Sequence, residues 1–143
     1  LSKDEGIEIR ILEYALLGIQ AGLNPLKAIF SGRRLNKIAD HLLQEGKTNP
    51  RAHLVLGLSK LFTPSMFGGS IEKSIDHFQE SISLYKCEQQ ILSFNNWGYA
   101  DAFVFLSEAY KKSGQRSEAR KILEELMTLF PYYIYGKIKL LSL

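Results

Sequence analysis

The chain has 143 residues, of which 45% are hydrophobic and 23% are charged, and its formal net charge is +3. These values are typical of a single globular domain and exclude an intrinsically disordered chain. The small positive excess forms no basic run, so charge gives little reason to expect nucleic acid as a partner. No run of about 18 apolar residues predicts a transmembrane segment.

Apolar residues recur with helical spacing through the first part of the chain. Residues 7–18 place their large apolar side chains on one stripe of a first helix, which Asn24-Pro25 is expected to end. A second helix is expected over roughly residues 35–44, and Gly46 stops it. No segment of the chain favours a β-strand.

The next two helices are separated by a loop of unusual composition. Residues 52–62 are expected to form a third, strongly apolar helix, which Thr63-Pro64 ends. Residues 65–70 are expected to form a loop before a fourth helix over residues 71–85. Ser70 is the candidate N-cap of that fourth helix, because its hydroxyl can accept from the first free backbone N–H groups.

The last third has the most regular pattern, after a less regular stretch over residues 86–98. Three further helices are predicted over residues 99–113, 116–130 and 132–143. Gly114 separates the first two in the left-handed conformation that glycine adopts at low cost. Ser117 is expected to cap the second of them, and Pro131 closes it.

Residues 100–131 resemble one tetratricopeptide repeat, in which two helices pack closely through small side chains. The residues that match the family are Ala102, Phe103, Leu106, Ala109, Tyr110, Gly114, Ala119, Leu123 and Pro131. Ser107 stands where the family usually has Gly, and Leu126 stands where it has Ala. The preceding pair matches less closely, through Gly57 among others, and the first pair matches mainly at Leu17-Gly18.

The resemblance implies an all-α, right-handed array of antiparallel helix pairs in one domain over residues 1–143. About three pairs are expected, followed by a terminal helix. Their approximate bounds are residues 5–46 for a degenerate pair, 50–86, 100–131, and 132–143 for the terminal helix.

The loop Thr63-Pro64-Ser65-Met66-Phe67-Gly68-Gly69 adds a second resemblance. It is similar to a TP-x-MFGG loop in bacterial tetratricopeptide-like proteins of unassigned function, some of which are exported. On that ground alone, a periplasmic or exported location is slightly favoured over a cytoplasmic one.

The family binds extended or helical peptides in a concave groove that the first helix of each pair lines. The residues predicted to bind a partner are Leu54, Leu58, Leu61, Phe62, Phe67, Val104, Glu108 and Lys111. In the first pair, the corresponding groove positions are Leu12, Ala15 and Ile19. The Lys/Asn/Arg set that clamps a peptide carboxylate in some family members is absent from these positions. An apolar groove must be covered, either by a partner's amphipathic helix, by a hydrophobic ligand or by the chain's own terminal helix.

Candidate chemistry is sparse. The three histidines, His41, His53 and His77, have no mutual spacing of the H-x-x-x-H kind, and His53 is expected to be packed and hydrogen-bonded. Cys87 is the single cysteine, which excludes an internal disulfide, and it has no neighbouring His to activate it. No nucleotide-binding or hydrolase motif occurs. Catalytic residues, metals and cofactors are therefore not expected.

Two features leave alternatives open. Residues 67–70 could cradle an anion with backbone N–H groups, but a tight turn is favoured because no basic residue adjoins them in sequence. Aromatic residues cluster at Tyr132, Tyr133 and Tyr135, and again at Phe94, Trp97, Tyr99 and Phe103. Core packing is favoured for them over partner binding.

The sequence thus predicts a non-enzymatic scaffold that binds a protein or peptide in an apolar groove. The alternative is an exported protein that binds a small hydrophobic ligand between repeats and serves transport. Neither the identity of the partner nor the oligomeric state follows from the sequence.

Overall fold

The computed structural model describes residues 2–88 and 97–143, and every regular element in these ranges is helical. The α-helices are α1 (Lys3–Leu23), α2 (Pro25–Glu45), α3 (Pro50–Phe62), α4 (Ile71–Glu88), α5 (Tyr99–Lys112), α6 (Arg116–Leu129) and α7 (Ile134–Leu141). A short 3-10 turn, Ser65–Phe67, lies between α3 and α4. The predicted all-α class is confirmed for the described residues. Of the irregular stretch predicted before α5, residues 89–96 lie outside them.

Side-chain caps explain where the first three helices begin. Ser2 and Glu5 form a reciprocal capping box at α1, in which each side chain accepts from the other residue's backbone N–H. Asn24 and Asn49 cap α2 and α3 by accepting from two backbone N–H groups each. A proline follows each asparagine at the first helical position, where its missing N–H costs nothing.

The start expected for the second helix is wrong, because α2 begins at Pro25 rather than near residue 35. Asn24 has two functions at this point. Its backbone N–H donates to Gln20 O and ends α1, while its side chain caps α2. The Asn-Pro pair therefore joins two long helices through a single residue, and α1 and α2 form a hairpin.

The later boundaries are closer to the expectations. Ser70 accepts from the Lys73 N–H at the start of α4, and Gly114 has a φ of +82°, so both predictions are confirmed. The prediction that Ser117 caps α6 is wrong, because the helix already includes Arg116 and the cap position is Gln115. The last helix begins at Ile134 rather than at residue 132.

The helices pack mainly on their neighbours in sequence, as successive pairs. α1 packs on α2, α3 on α4, and α5 on α6, while α4 also packs on α5. The buried side chains form two clusters, and α3 contributes to both of them. Val55 and Leu56 lie in the cluster shared with α1 and α2, whereas Leu54 and Leu61 lie in the cluster shared with α4, α5 and α6. α3 is therefore the element that joins the two halves of the core.

Two helices pack closely at a glycine within the second pair. A methyl group on Gly57 of α3 would lie 2.6 Å from Cε1 of Phe78 on α4, and Phe78 is fully buried. In the third pair the equivalent residue is Ser107, whose buried hydroxyl donates to Val104 O over 2.7 Å. Gly18 of the first pair has open space around it. The close packing expected at these positions is therefore present in the second pair and absent from the first.

Candidate partner-binding surface

The predicted groove residues fall into exposed and buried groups. Phe62 and Phe67 are exposed, and Leu58, Glu108 and Lys111 are half-buried. These five side chains are therefore accessible to a partner in full or in part.

Three of the predicted groove residues are not accessible. Leu54, Leu61 and Val104 are at most 3% exposed, so the expectation that they line an open groove is wrong. All three belong to the larger core cluster. The physical reason for Leu54 is the turn before α5, because a methyl group on Gly98 would lie 2.5 Å from Leu54 Cδ2. The protein's own side chains fill the space in which these three residues were predicted to contact a partner.

The terminal helix covers the α5 part of the predicted groove. The Tyr133 hydroxyl donates to Asp101 Oδ1 over 2.9 Å, and Lys139 Nζ donates to Glu108 Oε1 over 2.8 Å. Burial raises the pKa of Tyr133 to about 12, and the Asp101 carboxylate adds to the rise. For Glu108, burial acts to raise the pKa, but the bond and charge of Lys139 together with those of Lys111 outweigh it, and the pKa is lowered. The sequence left three possibilities for what covers the groove. Over the α5 part, it is the chain's own terminal helix.

The α1 and α3 part of the face is open. Arg51 of α3 donates through Nε to Glu8 Oε1 of α1 over 2.8 Å, and the Tyr14 hydroxyl of α1 lies beside the Ser59 side chain further along α3. Both contacts advance in the same direction along the two helices, so α1 and α3 run parallel. In this arrangement, the face of α1 that carries Glu8 lies beside the face of α3 that carries Arg51.

Large apolar side chains continue along both of those faces. Leu12 and Ile19 lie on the same side of α1 as Glu8, four and eleven residues further on, and both are exposed. Phe62 lies on the same side of α3 as Arg51 and is 62% exposed. Its ring makes an edge-on contact with Phe105, with centroids 6.0 Å apart. The result is an apolar surface with aromatic and aliphatic members that no described element covers.

Arg51 lies at one end of this open apolar surface. It is nearly buried and pairs with Glu8 of α1 and with Glu88 of α4, whose Oε2 lies 3.7 Å from Arg51 Nη1. Its guanidinium also lies 5.9 Å from the centroid of the Trp97 ring. Burial acts to lower the pKa of Arg51, but the two carboxylates outweigh it and raise the pKa. One side chain thus ties three helices together where the open face ends.

No protein-family model matches the chain, and no curated protein matches it significantly. The likeness to the tetratricopeptide repeat therefore rests on the residues and helix pairs described above.

The loop between α3 and α4 is a tight turn rather than an anion cradle. The N–H groups of residues 67–70 all donate to carbonyl oxygens, of Pro64 twice, Ser65 and Lys60, and Gly68 has a φ of +93°. Lys60 does lie beside the loop, contrary to the expectation of no basic neighbour, but its Nζ donates to Gly68 O over 3.0 Å. With its donors occupied in this way, the turn presents Met66 and Phe67 as exposed apolar side chains instead.

The structure brings two histidines together that sequence spacing does not connect. His53 Nε2 lies 3.0 Å from Lys47 O, which can only accept, so His53 Nε2 carries the proton. In the neutral ring, His53 Nδ1 is then an acceptor, and His77 Nδ1–H donates to it over 3.3 Å. The expectation that His53 is packed and hydrogen-bonded is confirmed, and its partner on α4 is a new observation.

We predict a pH dependence of stability from His77. Burial, with the neighbouring charges of His53 and Lys60, lowers the pKa of His77 from 6.5 to about 4. The unfolded chain therefore binds the proton more tightly, and stability is complete above pH 6.5 and is lost as the pH falls towards about 4. We expect a loss of roughly 2 kcal/mol in the free energy of unfolding over this window.

Urea unfolding at a series of pH values measures that loss. The variant His77→Gln keeps a polar side chain that does not titrate, so it should lack this part of the pH dependence. His41→Gln is the matched control, because His41 is exposed on α2. Equal slopes for wild type and His77→Gln between pH 6.5 and 4 would refute the assignment.

The remaining candidate residues show no assembled chemistry. Among residues 2–88 and 97–143, no three His, Cys, Asp or Glu side chains come together as metal ligands, and Cys87 is exposed. None of the described helices is long and apolar enough to cross a membrane. Two open depressions of about 370 and 240 Å³ beside α1 and α2 are lined mainly by polar side chains, with Arg10 and His41 in both. These depressions give no support to the small hydrophobic ligand.

The aromatic clusters divide between core and surface. Tyr99 and Phe103 are buried, which confirms core packing for them, and Tyr99 stacks on Tyr85 with centroids 4.9 Å apart. Tyr132, Tyr135 and Trp97 are exposed, so core packing is wrong for these three. Tyr133 is half-buried, and Phe94 lies outside the described residues.

Proposed function

We propose that the chain is a non-enzymatic scaffold that binds a segment of another protein along the open apolar face of α1 and α3. The observation that carries this proposal is the row of exposed apolar side chains at Leu12, Leu16 and Ile19 beside exposed Phe62. A large apolar surface of this kind is typical of a protein interaction site. The spacing of the row suits a partner that presents an amphipathic helix or an extended apolar strip.

The helix pairs support a tetratricopeptide-like, right-handed array as the framework of this scaffold. In that arrangement α1, α3 and α5 are the first helices of the three pairs, and α7 is the terminal helix. Lys139 of α7, and Tyr133 directly before α7, already bond with residues of the α5 part of the groove. The partner therefore binds at the other end of the groove, on the first and second pairs.

The proposal predicts that charges on the open face weaken peptide binding. Peptides selected from a displayed random library on the wild-type protein would be measured by fluorescence polarisation. We expect Leu12→Asp and Phe62→Asp each to raise the Kd at least about tenfold, because each charge is placed in an interface that excludes water. Both side chains are exposed, so the helical circular dichroism spectrum should not change.

Leu141→Asp is the matched control, because Leu141 is 79% exposed at the end of α7, away from the open face. Its Kd should stay within about twofold of the wild-type value. Val104→Asp is not a suitable probe, since a buried charge at that position would disturb the core. Selected peptides whose affinity is unchanged in both Leu12→Asp and Phe62→Asp would contradict the proposal.

A further inference from the structure

The α1–α2 hairpin extends beyond the end of α3. The Tyr14 hydroxyl of α1 lies beside the Ser59 side chain of α3. From these two residues, α1 continues to Leu23 whereas α3 ends at Phe62. At 1.5 Å per residue, α1 therefore projects about 9 Å further than its parallel neighbour. α2 begins at the projecting end, because Asn24 alone joins the two helices.

The projecting end, here called the hairpin tip, carries the most exposed apolar residues of the first three helices. Its large apolar side chains are Leu23, Leu26, Ile29 and Phe30, and each of them is more than two-thirds exposed. Phe30 is 85% exposed. Neither of the two core clusters contains any of these four residues. The apolar side chains of the hairpin tip therefore do not contribute to the core.

Basic side chains follow the tip on the same side of α2. Leu26, Phe30, Arg33 and Lys37 recur at helical spacing, so the apolar residues lie at the end of the hairpin and the basic ones lie behind them. Lys37 is seven residues beyond Phe30, or about 10 Å along the helix axis. All of these side chains are exposed.

The charge around the tip has one sign. No Asp or Glu occurs between Glu13 and Asp40, and that span contains Lys27, Arg33, Arg34 and Lys37. Arg34 is held by Glu13, to which its Nε donates over 2.7 Å. Arg33, Lys37 and Lys27 make no ion pair with another described residue. The tip is therefore complementary to an apolar phase that has an anionic surface.

We propose that the hairpin tip docks on an anionic lipid surface. Leu26, Ile29 and Phe30 enter the boundary between headgroups and acyl chains, and Arg33 and Lys37 bind headgroup phosphates behind them. The separation of about 10 Å between Phe30 and Lys37 matches the 5–10 Å to which interfacial helices bury their apolar residues. A second copy of the chain fits less well, because two tips would bring their like charges together. Nucleic acid has no apolar phase to receive Phe30.

Vesicle flotation tests this proposal on the whole chain. Vesicles of phosphatidylcholine alone are compared with vesicles of equal parts phosphatidylcholine and phosphatidylglycerol. We expect wild type to float with the anionic vesicles and to remain behind with the neutral ones. The double variant Arg33→Gln/Lys37→Gln should bind the anionic vesicles roughly 25-fold more weakly, because each basic residue near such a surface contributes about fivefold.

The apolar part of the tip is tested by Phe30→Asp, which should weaken vesicle binding by more than about tenfold. Leu141→Asp and Arg116→Gln/Arg120→Gln are the matched controls, since these exposed residues lie on α7 and α6, and both should bind like wild type. The peptides selected for the open face of α1 and α3 should bind Phe30→Asp like wild type, which separates this proposal from the proposed scaffold function.

Three results would overturn the lipid assignment. The first is that the wild-type protein does not float with anionic vesicles. The second is that Phe30→Asp floats with them as well as the wild-type protein does. The third is found without lipid, by sedimentation equilibrium. If wild type is a dimer and Phe30→Asp is a monomer, a second copy of the chain covers the tip instead.

Discussion

Gly98→Ala is expected to lower the free energy of unfolding by about 3 kcal/mol. Gly98 has a φ of +87°, where a Cβ atom is strained. The added methyl group would also lie 2.5 Å from Leu54 Cδ2 and 2.8 Å from the Tyr85 hydroxyl oxygen. Both neighbours are buried, so neither can move away without disturbing the core.

Gly114→Ala separates the two causes of this loss. Gly114 has a φ of +82°, but it has open space where the methyl group would go. Only the backbone strain applies there, and we expect a loss of about 1 kcal/mol. Urea unfolding followed by circular dichroism measures both variants. Equal losses in the two variants would show that the contacts of Gly98 with α3 and α4 are not as close as described.

Gly57→Ala is expected to destabilise the protein by about 2 kcal/mol, although alanine favours helices. The methyl group would lie 2.6 Å from Phe78 Cε1 and 2.8 Å from Phe78 Cδ1. Relief requires α3 and α4 to separate or the buried ring to leave its position, and overpacking of this kind costs up to about 3 kcal/mol. The higher helix propensity of alanine offsets about 1 kcal/mol of that cost.

Gly18→Ala is the matched control and should have the opposite sign. Gly18 also lies inside a helix, but its added methyl group would meet nothing within 4 Å. The helix propensity then acts alone and stabilises the protein by up to about 1 kcal/mol. The two variants should therefore differ by about 3 kcal/mol in unfolding free energy. A destabilised Gly18→Ala would show that the first pair is as closely packed as the second.

Local signals in the sequence were sufficient to locate most helix boundaries. Asn, Pro and Gly act within a few residues of themselves, so Asn49 before α3 and Gly114 after α5 could be interpreted without knowledge of the rest of the chain. The same kind of local signal did not predict that α2 begins directly after Asn24. Both the end of α1 and the start of α2 are encoded there, and the apolar pattern after it is too weak to show the second helix.

The surface was harder to predict than the helices. Leu54 and Val104 lie at positions that an ideal repeat exposes, but the turn at Gly98 and the terminal helix add packing that repeat spacing does not contain. The pairing of His53 with His77 could have been found from the antiparallel arrangement of α3 and α4. That arrangement brings residues 50–53 opposite 77–81, as the bond from Ser81 Oγ to Pro50 O also requires.

The hairpin tip illustrates a different limit of sequence reasoning. Its apolar residues have helical spacing, which favours burial in a core, and only the length of α1 relative to α3 places them outside it. A composition count also hides its charge, because the whole chain is nearly balanced while residues 14–39 have no acidic side chain. Both properties become visible once the two long helices are placed beside the shorter third one.

The division of the core by α3 has a consequence for the order of unfolding. Among the described residues, the cluster that α1 and α2 share with α3 meets the larger cluster only through that one helix. The first hairpin can therefore open as a unit while α3 to α7 keep their own buried contacts, and its amide hydrogens then exchange with solvent through that smaller opening. Because the helices pack mainly on their neighbours in sequence, reclosing needs few long-range encounters and is fast.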